Sequence, residues 1–240
     1  MARRLPGSYG VDAPYVPALS ALGGAVLVVL ALVTDGWSRW LLAAFGLAVF
    51  GQAALYLSTT LRGKFAIWRR VVDDLDLAGS EVVLDVGCGR GMVLLEAARG
   101  LPQGRAIGVD LWRSRDQSGN DPARARLNAS LVGVADRVEI ATGDMTALPF
   151  RDGSFDAVLA NVAIQNLKDR ELRRRAISEM VRVAGPAGRI RIVDIQYVSQ
   201  YRDDLVACGA TEVAVRRLGP RGWFGNPFYA SRLVRARMAG

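Results

Sequence analysis

The sequence predicts an α/β fold, a doubly wound and mainly parallel seven-stranded sheet, preceded by two transmembrane helices. Three observations predict it. From residue 82 onward, short apolar runs alternate with helix-length segments, the pattern of a parallel sheet with helices on both faces. The first run, Val82-Val83-Leu84, leads into Asp85-Val86-Gly87-Cys88-Gly89-Arg90-Gly91, a carboxylate followed by a turn with glycine at every second position. Upstream lie two stretches of 22 uncharged residues each, 13–34 and 40–61.

Residues 1–12 read as a short disordered or surface-lying lead. The two uncharged stretches come next. About 20 apolar residues at a 1.5 Å rise cross roughly 30 Å of hydrocarbon, so each is long enough to span a bilayer. Asp35-Gly36-Trp37-Ser38-Arg39 separates them, which makes a hairpin. Trp37 and Trp40 fall at one boundary, and Tyr15 and Tyr56 near the other, where amphipathic aromatics concentrate. Arg3 and Arg4 precede the first span, and Arg62, Lys64, Arg69 and Arg70 follow the second. Basic flanks on both outer ends place both termini and the downstream domain in the cytoplasm, at the cell membrane. Two cysteines, Cys88 and Cys208, are too few for a disulfide framework, in keeping with a reducing compartment. Gly23, Gly24, Ala44 and Ala48 allow close helix packing, within the hairpin or between copies in a homo-oligomer.

The chain divides into an anchor (1–60), a juxtamembrane amphipathic helix (61–78) and an α/β domain (79–240). In the second segment Phe65, Trp68, Val72 and Leu75 share one helical face. Two readings stand: a helix lying on the membrane, or a cover for a ligand pocket. Strands are expected at 82–84, 106–109, 138–141, 157–160, 189–195, 211–218 and 229–236. Helices are expected at 92–99, 122–133, 169–184 and 200–208, and Gly185-Pro186-Ala187-Gly188 reads as a turn.

The net charge is +8. Residues 1–70 hold seven basic and two acidic residues, so the excess sits beside the membrane, where it attracts anionic lipid. The remaining 24 basic and 21 acidic residues nearly balance, which argues against a nucleic-acid partner.

The glycine spacing selects the ligand class. A dinucleotide fingerprint is G-x-G-x-x-G; counted from Gly87 its last position falls on Met92, and from Gly89 on Leu94. No P-loop Gly-Lys-Ser/Thr ending is present. A carboxylate at Asp85 would repel a pyrophosphate and suits a ligand with a cationic amine. The second strand ends at Asp110, where a carboxylate can accept both hydroxyls of a ribose. After the third, Asp144-Met145 offers an acid beside an apolar side chain, suited to an adenine. Leu148-Pro149-Phe150-Arg151-Asp152-Gly153-Ser154-Phe155-Asp156 leads into the fourth.

In these motifs residues ~64–240 resemble the class I S-adenosylmethionine-dependent methyltransferases, a Rossmann-like fold. The resemblance implies S-adenosyl-L-methionine as cofactor. The first motif maps to Asp85, Gly87, Cys88, Gly89 and Gly91, the ribose acid to Asp110 with Leu111, the adenine contacts to Asp144 and Met145, and the neighbour of the sulfonium to Asn161. The block Asp110-Leu111-Trp112 to Asp116-Gln117-Ser118-Gly119-Asn120 resembles a bacterial subgroup of small methyltransferases. Many relatives carry a histidine after the fourth strand. This chain has none, and the segment reads Ala163-Ile164-Gln165-Asn166-Leu167. Gln165 can position an acceptor but cannot deprotonate it. Asp194, ending the fifth strand, is the best-placed carboxylate for contact with an acceptor, with Tyr197 as alternative and a loop cap as the plain reading. Without histidine or a cysteine cluster no metal site is expected. Trp223, Phe224 and Phe228 read either as a wall over the acceptor pocket or as core. The expectation is an integral-membrane methyltransferase acting on a small lipophilic or amphipathic acceptor. Its rivals are a cofactor-binding sensor or scaffold without turnover, and a tethered RNA or protein methyltransferase.

Overall fold

The computed structural model describes residues 5–240. Two long apolar helices come first, α1 (Tyr15–Val33) and α2 (Ser38–Ser58). Both are long and apolar enough to cross a membrane, and most of their large side chains are exposed. They touch where side chains are smallest. A Cβ on Gly24 would lie 3.1 Å from the Gly46 carbonyl oxygen, tighter than an ordinary contact, so glycine favours this close approach of the two backbones. The small-residue contact thus serves the hairpin itself, while Gly23 faces open space.

At Ser58 the helix does not stop. A π-helical turn (Thr59–Gly63) carries it into α3 (Lys64–Asp73), an unbroken helical run over Ser38–Asp73. π-Turns inside helices are frequent at functional sites, and two side chains brace this one. Thr59 Oγ1 donates to the Trp223 carbonyl (2.6 Å), and Thr60 Oγ1 donates to Asp12 Oδ2 (2.7 Å). The boundary at residue 60 is therefore a change of surroundings within one helix. Trp68, Val71 and Leu75 are buried against the domain, which favours the pocket-covering reading of this segment.

The sheet holds β1 (Val82–Val86), β2 (Arg105–Asp110), β3 (Val138–Thr142), β4 (Phe155–Asn161), β5 (Ala184–Asp194), β6 (Thr211–Arg217) and β7 (Arg232–Arg237). Their order is β3-β2-β1-β4-β5-β7-β6, and only β7 runs antiparallel to its neighbours. Between them lie α4 (Met92–Ala98), α5 (Pro122–Val132), α6 (Arg170–Val183) and α7 (Val198–Ala207). Alternate residues of a strand face opposite ways. Val83 and Leu159 join a core with α3 and α4, whereas Leu84, Val86 and Val158 join one with α6 and α7. The strand order reverses between β1 and β4, the place where such sheets bind ligands.

Three expectations change. The lead is packed where it is described: Leu5, Tyr9 and Asp12 are buried, because Tyr9 meets the Phe65 ring edge-on and Asp12 is drawn to Lys64. Residues 1–4 lie outside the described residues. β5 starts at Ala184, running through the expected Gly-Pro-Ala-Gly turn as an irregularity in its pairing with β4, with Ala187 at φ +55°. β7 starts at Arg232, because the Asn226 side chain accepts from the Phe228 and Tyr229 N–H groups and winds 227–229 into a 3₁₀ turn.

Candidate active site

A cleft opens over the carboxyl ends of β1, β2 and β4. It encloses about 880 Å³, counting space open to solvent, and its walls include Asp85, Gly87, Cys88, Gly89, Asp110, Leu111, Asp144, Met145 and Asn161. Nine residues spread over 77 positions of sequence thus meet in one place. Of the cofactor residues expected, only Gly91 lies off the wall; its left-handed conformation (φ +84°) starts α4.

Burial governs Asp85. It is 1% exposed, and its Oδ2 accepts from the Leu94 N–H (2.9 Å) in the first turns of α4. Its Oδ1 is buried without a partner. Desolvation pushes this carboxyl up to about 8, opposed by the Leu94 hydrogen bond and reinforced by nearby Asp110. A buried acceptor lacking a donor costs free energy until something supplies one.

Gly87 (φ +73°) and Gly89 (φ +52°) form the turn. A Cβ on Gly87 would meet the Ala163 side chain at 2.5 Å, and one on Gly89 the Gln117 Oε1 at 2.6 Å. Glycine is needed here both for backbone conformation and for space. The Cys88 thiol is buried, raised well above its ordinary range by desolvation first, and packed against Gly108, so its part is to fill the turn.

Asp110 is held by its neighbours. Oδ2 accepts from the Gly89 N–H (2.9 Å), and Oδ1 from the Trp112 N–H (2.6 Å) and Asn120 Nδ2 (3.1 Å). An ionised carboxylate has about four acceptor positions, so the locked Oδ2 keeps one for a hydroxyl. Asp144 caps its own turn, accepting from Thr146 N and Oγ1 through Oδ1 (2.8 and 2.9 Å). Asn161 accepts from Trp68 Nε1 (2.7 Å), which joins α3 to the end of β4. The next residue, Val162, stands at φ +50°, strained for a β-branched side chain, and turns the chain so that Ala163 also lines the cleft.

The two expected catalytic residues are elsewhere. Asp194 is wholly buried and off the cleft wall. Its Oδ1 accepts from the Ile195 N–H (2.8 Å), and its Oδ2 from the Gln165 N–H (3.1 Å) and the Tyr201 hydroxyl (3.3 Å). That is a loop cap, with every contact internal. Gln165 is likewise off the wall, its Oε1 accepting from Gln196 N (3.3 Å). Tyr197 stacks under Arg173 (3.7 Å to the ring centroid). Trp223, Phe224 and Phe228 do not line the cleft either.

A group that the sequence did not reveal does line it. Asp12, just before α1, and Lys64, just after α2, form a buried ion pair (2.9 Å) in the cleft wall. Gln117 Nε2 donates to Asp12 Oδ1 (3.1 Å), while its Oε1 accepts from the Arg90 N–H (2.9 Å). Arg90 in turn donates to Ser8 Oγ (3.1 Å) and the Ser118 carbonyl (3.1 Å). The lead and both roots of the hairpin are therefore tied to the glycine turn. The one available signal was an acid just before the first apolar stretch and basic residues just after the second.

A nucleoside-bearing ligand fits this donor and acceptor set: an unpartnered buried acceptor for an amine, an anchored carboxylate for hydroxyls, and an apolar wall from Leu111 and Met145. The fold and cleft thus define an α/β domain that binds a nucleoside cofactor at its first crossover. Comparison with known proteins sharpens this. The methyltransferase-domain family matches residues 84–192. A demethylmenaquinone methyltransferase of Symbiobacterium thermophilum is 34% identical over 129 residues, 53% of this chain and 48% of that protein. Methyltransferase GfsG of Streptomyces halstedii is 32% identical over 127 residues, 52% of this chain and 42% of that protein. The chain thus matches less than half the length of these curated relatives. Among solved structures, geranyl diphosphate methyltransferase in complex with S-adenosylmethionine aligns at TM-score 0.61 and 16% identity, covering 79% of this chain and 90% of that one. The [4+2]-cyclase SpnF aligns at 0.58 and 20% identity, covering 71% and 81%. Residues 84–192 are thus a methyltransferase domain, similar to the S-adenosylmethionine-dependent methyltransferases, and the cleft fits that cofactor.

Proposed function

We propose that this protein methylates a small lipophilic or amphipathic acceptor, of the quinone or phenol type, at the cytoplasmic face of the cell membrane. One observation carries the reading: an apolar helix of membrane-spanning length runs without a break into the wall of the cofactor cleft, contributing Lys64 to it and Trp68 to the hold on Asn161. An acceptor dissolved in lipid is thereby concentrated beside the site. The kinship with demethylmenaquinone methyltransferases supports the acceptor class.

The cofactor brings an activated methyl group. The chain has to orient the acceptor and exclude water. Asn161, Val162, Ala163, Asn166 and Leu167 line the cleft beyond the β4 end and are the surface against which an acceptor would rest. There is no histidine, and Asp194 is sealed away, so no general base is assigned. An acceptor with an acidic hydroxyl or an electron-rich ring carbon requires none of high basicity.

The test uses full-length protein in nanodiscs, methyl-labelled cofactor and a bacterial lipid extract. Label in an organic-soluble product, identified by mass, supports the proposal. Cofactor binding without transfer to any acceptor fraction would favour a sensor or scaffold. Label in RNA or protein would favour a tethered macromolecular methyltransferase.

A further inference from the structure

We propose that the loop between β6 and β7 is a second membrane-contacting element, an aromatic wedge whose tip, Phe228 and Tyr229, sits among the acyl chains of the leaflet facing the catalytic domain. The inference rests on the membrane reading of α1 and α2 and adds to it.

The loop climbs the root of the anchor helix. Arg221 abuts Gly63, Trp223 accepts from Thr59, Phe224 meets the Tyr56 ring edge-on at 5.3 Å, and a Cβ on Gly225 would lie 2.9 Å from the Gln52 side chain. These contacts lie three or four residues apart on one face of the helix, so the loop rises by about 16 Å along it. Past Gly225 the chain turns over at Pro227–Tyr229, where Phe228 is 91% and Tyr229 54% exposed.

The anchor sets the depth of this tip. Counted from Trp37, about 20 helical residues fill roughly 30 Å of hydrocarbon, which ends the apolar layer near Leu57. Gln52 is five residues earlier, so Gly225, seated against it, stands about 7 Å inside that boundary. A spanning hairpin cannot enter the bilayer to its full depth without carrying the tip in.

Sequence and hydrogen bonding suit that position. Residues 222–231 carry no charge, between the exposed arginines Arg221 and Arg232, which can reach head groups. Backbone donors without partners are costly in lipid. Here the Phe228 and Tyr229 N–H groups both donate to Asn226 Oδ1 (2.9 and 3.1 Å), the Phe224 N–H to the Tyr229 carbonyl, and the Gly225 N–H to the Trp223 carbonyl; Pro227 has none to give. An aromatic tip with its backbone N–H groups satisfied, seated alongside a transmembrane helix, matches the chemistry of the acyl boundary.

The experiment places a nitroxide at Phe228→Cys in a Cys208→Ala background; Cys88 is buried and stays unlabelled. Full-length protein is reconstituted in phosphatidylcholine–phosphatidylglycerol nanodiscs, and label depth is read from oxygen against nickel-chelate accessibility. Phe45→Cys on α2 and Val206→Cys on α7, both exposed, serve as references. The expected result is a deep Phe45 label, an aqueous Val206 label and a Phe228 label about 5–10 Å below the head groups, the depth of interfacial elements. A deep Phe45 label with an aqueous Phe228 label overturns the wedge and leaves the anchor standing. So does a Phe228 label shielded from both reagents, which means contact with protein. An aqueous label at Phe45 overturns the membrane reading, and the wedge with it.

Discussion

Two strands of one sheet carry a buried carboxyl near their carboxyl ends, Asp85 on β1 and Asp194 on β5, and the two are alike in burial and raised proton affinity. They differ in what their oxygens touch. Asp85 has one oxygen capped by Leu94 N–H and one orphaned in the cleft wall. Asp194 accepts three internal hydrogen bonds and reaches no cleft. Position at a strand end nominates a residue; unmet hydrogen-bonding capacity marks the one that awaits a ligand. Asp12 stands at the other limit, a buried carboxylate held by Lys64, Thr60 and Gln117.

If that distinction holds, removing each carboxylate should fail in a different way. The largest effect is expected at Asp12. Asp12→Ala leaves the Lys64 cation buried and unpaired, at a cost of about 3–5 kcal/mol. Thermal unfolding in nanodiscs should show it, and an unchanged midpoint would mean that the pair is open to water. Asp194→Asn is expected to destabilise the fold by about 1–3 kcal/mol, since an amide group would face donors that now share the carboxylate; denaturant titration of the variant measures it.

A pH dependence separates the carboxyls further. Burial raises Asp85 from 3.8 to about 8 and Asp194 to about 7, so the folded chain holds more protons than the unfolded one across that window. Their contribution to stability is full below about pH 4 and declines as pH rises toward 7–8. Melting of the wild type from pH 5 to 8 should fall more steeply than that of Asp194→Asn; parallel curves would refute the assignment. The smallest effect is expected at Trp68→Phe, which removes one hydrogen bond to Asn161, worth about 0.5–1.5 kcal/mol. Cofactor affinity should drop by less than about tenfold, read by calorimetry.

The legible part of this site is local. The Asp85–Gly91 turn, Asp110, Asp144 and Asn161 all follow strand-like runs, and period alone places them along one sheet edge. Side-chain direction is not local. Asp194 ends its strand as expected, yet the Gln165 and Ile195 N–H groups and Tyr201 turn it inward. Nor does period reveal pairing over 52 positions, as between Asp12 and Lys64. Folding the hairpin back on itself brings these together, and no repeat or motif encodes it. The loop at 223–229 escaped for the same reason: its aromatics read either as a wall over the acceptor pocket or as core, and its contacts with Thr59, Tyr56 and Gln52 span more than 160 positions.

The most direct test of the account is calorimetric titration of S-adenosylmethionine into full-length Asp85→Asn and Asp194→Asn side by side, with circular dichroism as a check on folding. The predicted result is at least about tenfold weaker binding for Asp85→Asn, from the loss of a charged hydrogen bond, and wild-type affinity for folded Asp194→Asn. Wild-type affinity in Asp85→Asn, or its loss in folded Asp194→Asn, would contradict the placement of the cofactor at the β1 end.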